Sequence, residues 1–289
     1  MSPARMKFRP CWRLTHSVCV VSALITCAMA EAEDTPYYVM ASDGTVTVRT
    51  ASQLVARLVD PDPQARLSAA LLLQYVHALD SRQTIAPLIR LLDDPVEAVR
   101  NQASETLSYV GLDAVPALID VVKGQGATSG RHDTSVRLQR LAVETLGSLA
   151  WRSEDAKQAL LDIIQDPRIH TVVRYSAFGG LGRLGTGAPG VAPILIDLMK
   201  RTNEDLSLRQ AAIMTLEALG PGPTTIEVLG QLLSDGNVHI RQSAAYALRR
   251  FGLAAKAALP QLQAALTDSD SEVRLSAAAA MKELTGHAP

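Results

Sequence analysis

Two columns of polar residues recur along this 289-residue chain and are placed to do chemistry. The first is arginine: Arg66, Arg100, Arg174, Arg209, Arg241 and Arg274. Asp60, Asp94, Asp235 and Asp268 each stand six residues before one of them. A guanidinium fork grips a carboxylate or phosphate through two parallel hydrogen bonds. The column therefore reads either as a basic track for an anionic ligand or as a structural ladder bonding loop carboxylates or carbonyls. Each of these arginines lies three residues before an alanine on an apolar stripe, so its stem packs while its head reaches the loop. That placement favours the ladder, and Arg100→Ala is expected to lower the melting temperature. The second column is Arg57, Arg90, Asp120, Asp162, Asp197 and Gln231, each directly before an apolar pair. It sets a basic end beside three carboxylates.

Other spellings of chemistry fall short. Gly180-x-Gly182-x-x-Gly185 matches a dinucleotide fingerprint, but that motif needs a preceding strand and a helix that opens at the glycines. Here the glycines fall inside and at the end of a helical pattern. Gly179, Gly180 and Gly182 each weaken a helix by about 1 kcal/mol relative to alanine, which predicts a local kink or soft point. The histidines (16, 77, 132, 170, 239 and 287) are scattered, and none is paired with a glutamate. Cys11, Cys19 and Cys27 are confined to the first 27 residues, so a structural zinc site has no ligands. The segment from Lys123 to Asp133 lacks the Gly-Lys-Ser/Thr ending of a phosphate loop, and no Gly-x-Ser-x-Gly elbow occurs. The reading assigns no catalytic residue, no metal ligand and no cofactor. A net charge of −1 and 4% aromatic residues give no case for nucleic acid.

The elements that position the two columns repeat. The phrase apolar-Arg-x-x-Ala-x-x-x-Leu-x-x-apolar-Gly recurs, with variations, seven times, centred on Ala69, Ala103, Ala142, Ala177, Ala212, Ala244 and Ala277. Four residues before each alanine stand Ala65, Val99, Leu138, Val173, Leu208, Ile240 and Val273. Four after it stand five leucines, Leu248 and Met281, and seven after it another apolar residue. That spacing marks one face of a helix. A second apolar segment lies between successive stripes, from Leu54–Val59 through Ala86–Leu92 to Leu259–Leu266. Helix pairs repeated every 32–39 residues cannot bury their faces alone and must stack. The fold class is therefore all-α, an α-solenoid of about seven helix pairs. A composition of 47% hydrophobic residues excludes a disordered chain.

The unit Asp94-Pro95-x-x-x-Val99-Arg100-x-x-Ala103-x-x-x-Leu107-x-x-Val110-Gly111, followed by Ala114-Val115-Pro116-Ala117-Leu118, resembles the short HEAT-like repeat of the phycobilin-lyase type. The resemblance covers about residues 52–286. The third unit departs most, with Gln139 in the arginine position and a stretched entry loop. The resemblance implies that the second helices line a concave wall, so the Arg57, Arg90, Asp120, Asp162, Asp197 and Gln231 row would face a groove able to contact a basic or polar peptide. It also implies that the Asp–Arg ladder is structural. A lyase-like or chaperone-like activity on a partner protein is the alternative it suggests.

Residues 1–30 read as an address. Arg5, Lys7, Arg9 and Arg13 precede an apolar run from Leu14 to Met29, closed by Ala28-Met29-Ala30. This is the pattern of a secretory signal peptide, and the run is shorter than the roughly 20 apolar residues that span a bilayer. Removing it lowers 28 basic residues to 24 and leaves 29 acidic ones, a net charge of −5. Tyr37–Ala41 and Thr45–Thr50 then flank Ser42-Asp43-Gly44, a β-hairpin signal within residues 31–51. The repeats occupy 52–289. The expected protein is an exported, periplasmic scaffold that binds a protein partner.

Overall fold

The computed structural model describes residues 37–40, 46–49, 51–75, 81–124, 135–188 and 190–285. The leader and the Asp43-Gly44 turn lie outside them. The chain divides into two units, Met1–Thr50 and Ala51–Pro289. In the first, β1 (Tyr37–Met40) and β2 (Val46–Arg49) pair antiparallel, with Tyr37 opposite Arg49 and Met40 opposite Val46.

The second unit is a stack of helices. It begins α1 (Ala51–Arg57), α2 (Pro63–Leu73), α3 (Ser81–Leu91), α4 (Glu97–Val110) and α5 (Val115–Val122). Its middle is α6 (Val136–Leu149), α7 (Glu154–Gln165), α8 (Thr171–Gly182), α9 (Val191–Lys200) and α10 (Leu206–Leu219). It continues with α11 (Pro223–Leu232), α12 (Val238–Phe251), α13 (Leu259–Ala265) and α14 (Ser271–Thr285). The even-numbered helices carry the alanine-centred stripe, and the odd-numbered ones are the second helices. Side-chain caps start several of them: Asp62, Ser135, Ser153, Asp205 and Asn237 each accept a backbone N–H of the first turn. Glycines end others with positive φ, 84° at Gly111 and 95° at Gly220, a conformation costly for any residue with a Cβ.

Burial follows the stripe. All seven central alanines are at most 1% exposed, and the residues four to either side are buried as well. The stripe fades at its far end, where Val110, Leu184, Phe251 and Leu284 are only half-buried. Consecutive stripe helices pack against one another, and each also packs on the second helices beside it. The second helices meet each other far more sparsely. The small central residue explains the difference, because it lets two stripe helices approach closely.

One expected boundary changes here. The second helix α3 starts at Ser81, five residues earlier than Ala86, so Pro87 lies within it and not in its first turn. A proline there omits one backbone hydrogen bond but does not stop the helix. Helix α8 runs through Gly179 and Gly180 to Gly182 without interruption. Gly180 faces Gly147 of α6 so closely that a Cβ on Gly180 would sit 2.6 Å from the Gly147 Cα. Gly180 and Gly182 are contact points between helices, against Gly147 of α6 and Ala218 of α10.

Candidate interaction surface

The arginine column forms a ladder, but its rungs differ from those read in the sequence. Arg66 and Arg241 bond backbone carbonyls of their own loop and fork onto a carboxylate of the next unit. Arg66 donates from Nη1 to the Asp60 carbonyl oxygen at 2.8 Å. Its Nε and Nη2 reach the Asp94 carboxylate at 2.7 and 2.9 Å, 28 residues away. Arg241 repeats this with the Asp235 carbonyl and the Asp268 carboxylate. Arg174 clasps Glu204 through two bonds of 3.0 and 2.9 Å, and Arg209 holds Asp235 at 2.6 Å. Both are only 4% exposed. Each also donates to a carbonyl in the last turn of the preceding second helix, Ile164 and Met199 respectively. Of the two loop acceptors the sequence allowed, carboxylate or carbonyl, the aspartate six residues before Arg66, Arg100, Arg241 and Arg274 supplies its backbone oxygen. Arg100 and Arg274 donate to loop carbonyls, of Asp94 and Pro95 and of Asp268 and Ser269.

The loop carboxylates gain from this. Hydrogen bonds from Arg174 hold Glu204 below the usual carboxylate range, and those from Arg241 do the same for Asp268. At Asp94 and Asp235 burial pushes upward, but the arginine fork, a loop N–H and the neighbouring cations outweigh it. The net direction is downward at both. Each carboxylate also shapes its own loop, with Asp94 Oδ1 accepting the Val96 N–H at 2.9 Å and Asp268 Oδ1 the Asp270 N–H at 2.8 Å.

At one joint both rung positions are substituted. Between the third and fourth units the arginine position holds Gln139, which donates to the Val122 carbonyl. The loop aspartate position holds Arg168, which pairs locally with Asp166 and lowers its pKa to about 2. Here the Gly147–Gly180 contact ties α6 to α8 instead.

The second-helix row lies on the surface. Arg90, Asp120, Asp162, Asp197 and Gln231 are exposed, and Arg57 is half-buried 3.9 Å from Asp60. Two of the three carboxylates already have neighbours on their own helix. Asp162 accepts a hydrogen bond from Gln158 at 2.8 Å, and Asp197 is ion-paired with Arg201 one turn on.

A different row was missed in the sequence. On the stripe helices, positions two before, two after and six after the central alanine point away from the stripe. They carry Tyr75, Tyr109, Tyr175, Met214, Tyr246 and Leu275, all exposed, Tyr109 by 66% and Met214 by 62%. Leu112, Trp151 and Leu253 stand nine after it, in the connections that follow α4, α6 and α12, and are exposed too. Among the described residues no second helix exposes a large apolar side chain. The signal was available, as apolar residues on the polar side of an amphipathic helix.

Among the described residues no cluster of His, Cys, Asp and Glu could hold a metal ion, and no helix is long and apolar enough to cross a membrane. The repeat pattern itself decides the family: the HEAT-repeat model matches residues 51–127, 124–208 and 192–282. The chain belongs to the HEAT-repeat family. No curated protein matches it. Its HEAT units are similar in fold to a Kap121p mutant, at 12% identity and a TM-score of 0.50, over 81% of this chain and 29% of that one. The complex of CpcE and CpcF of phycocyanin lyase from Nostoc sp. PCC7120 is similar at 20% identity and a TM-score of 0.37, over 93% and 99%. A designed armadillo repeat protein in complex with the peptide (KR)4 is similar at 18% identity and a TM-score of 0.39, over 81% and 98%. At such identities the likeness concerns the HEAT-type fold alone.

Proposed function

We propose that this HEAT-repeat protein is a non-catalytic scaffold that binds a protein partner in the periplasm. One observation carries the reading: each unit presents the same outward positions again, so the stack offers a long, regularly spaced surface instead of one deep site. The basic leader and the Ala28-Met29-Ala30 site support export. Two faces are open to a partner, the polar row of the second helices and the apolar row of the stripe helices.

Cross-linking with mass spectrometry on periplasmic extract tests the proposal. Specific links to one or a few proteins are expected, and their absence across expression conditions would overturn it. Charge reversal at Asp120, Asp162 and Asp197 together abolishes capture if the second-helix row makes the contact. A lyase-like or chaperone-like activity is the competing reading, and it would show as a covalent or folding change in the captured partner.

A further inference from the structure

We infer that the outward face of α6, α8, α10 and α12 docks an extended acidic segment of a partner protein that carries apolar side chains; this rests on the scaffold reading above. Trp151, Tyr175, Met214 and Tyr246 stand exposed on this face or at its edge. Tyr, Trp, Met and Arg are the residues enriched at protein interfaces and at their energetic centres.

Charge chooses the partner. The Arg152 guanidinium lies over the Trp151 ring at 5.4 Å, and that of Arg249 over the Tyr246 ring at 5.2 Å. Arg183 extends across Gly147, where a Cβ would meet its Nη2 at 2.7 Å. None of these three arginines forms an ion pair among the described residues. The acids of the same face are already matched, Glu144 by Arg140 at 2.5 Å and Glu217 by Arg250 at 2.9 Å. At the start of α7, Glu154 is held by Lys157 at 2.8 Å. The surface therefore sets uncompensated cations between aromatic rings, although the chain from residue 31 on carries a net charge of −5. Carboxylates interleaved with apolar side chains complement it.

Spacing sets the partner's form. Packed helices lie about 8–10 Å apart, so four in a row cover about 25–30 Å. An extended chain of about nine residues spans that distance.

The test uses the full chain and a fluorescent peptide of repeated Glu-Phe-Glu triplets, about nine residues long, titrated by anisotropy. A Lys-Phe-Lys peptide of equal length is its opposite. The acidic peptide is expected to bind and the basic one not. The triple variant Arg152→Gln, Arg183→Gln, Arg249→Gln should weaken binding by about tenfold or more. Tyr175→Ala with Met214→Ala and Tyr246→Ala should do likewise, with helical circular dichroism retained in both variants. Equal binding by the folded arginine variant overturns the inference. Preference for the basic peptide also overturns it, and moves the contact to Asp120, Asp162 and Asp197. Failure of the scaffold reading looks different: periplasmic partners cross-linked only to second helices sink this face but keep the scaffold. Acidic-peptide binding with no captured partner keeps the face and sinks the scaffold.

Discussion

A Cβ built on Gly180 would lie 2.6 Å from the Gly147 Cα and 2.9 Å from Leu160 Cδ1, whereas one on Gly179 would meet nothing nearer than Arg183 Nη1 at 3.9 Å. The two neighbours should therefore respond oppositely to the same methyl group. Gly180→Ala forces two backbones apart and is expected to cost about 1–3 kcal/mol. Gly179→Ala removes unfolded-chain entropy in open space and should stabilise by about 0.5–1 kcal/mol. Urea denaturation of both variants checks the pair, and a loss at Gly179 would refute it. The arginines divide in the same way. Arg209→Ala leaves the carboxylate of Asp235 without its charged partner and should cost about 3 kcal/mol or more. Arg100, which donates to the loop carbonyls of Asp94 and Pro95, should cost about 1 kcal/mol as alanine. Equal melting temperatures for the two variants would show that the inter-unit rung adds nothing. Sequence spacing could not choose between the aspartate six residues before an arginine and the one 26–28 residues after it. The choice depends on the twist between units, which no single unit contains.

The joint between helix pairs is the element that responds to pH. Asp94, Glu204, Asp235 and Asp268 all have folded pKa values below their unfolded ones, about 3.9 for Asp and 4.3 for Glu. The unfolded chain thus takes up protons first as the pH falls. The contribution of these groups to stability is complete above about pH 5 and drains away as the pH drops through the folded values. A melting temperature flat near neutral pH and falling below about pH 4 is expected, with a shallower fall in Asp235→Asn. A fall that began near pH 6 would assign the effect to histidine instead. The helices themselves were legible because their stripe is written seven times. Their edges were less so: α3 begins at Ser81 because nothing in Ser81–Ala86 opposes a helix and the following apolar face anchors it. The exposed tyrosines were legible in principle, since helical phase alone puts Tyr109 and Tyr246 opposite the buried stripe.

Across the whole repeat unit, nearest-neighbour joints add up, so stability approximates a sum over units and their interfaces. The joint between the third and fourth units is the one where arginine and acid are replaced, by Gln139 and Arg168. Gln139→Arg and Arg168→Asp made together should install a rung there and raise the melting temperature. Neither change alone should do so, because each leaves a charge without its mate. A double-mutant cycle reads the coupling directly, expected at about 0.5–3 kcal/mol, and strict additivity would count against the rung. The Gly147–Gly180 contact was not legible from the sequence, since it joins residues 33 apart and Gly180 itself falls in a spelling closer to a nucleotide motif than to a helix crossing.

The rungs make the units exchangeable. Arg66, Arg174, Arg209 and Arg241 each face the carboxylate that opens the following loop, so a unit ending on one of them can accept a unit beginning with an acid. Excising residues 204–234 would bring Asp235 to the place where Glu204 meets Arg174, and the remaining helices would keep their register. A gene built this way can lengthen or shorten by whole units without redesigning a joint, except where Gln139 and Arg168 have closed that route.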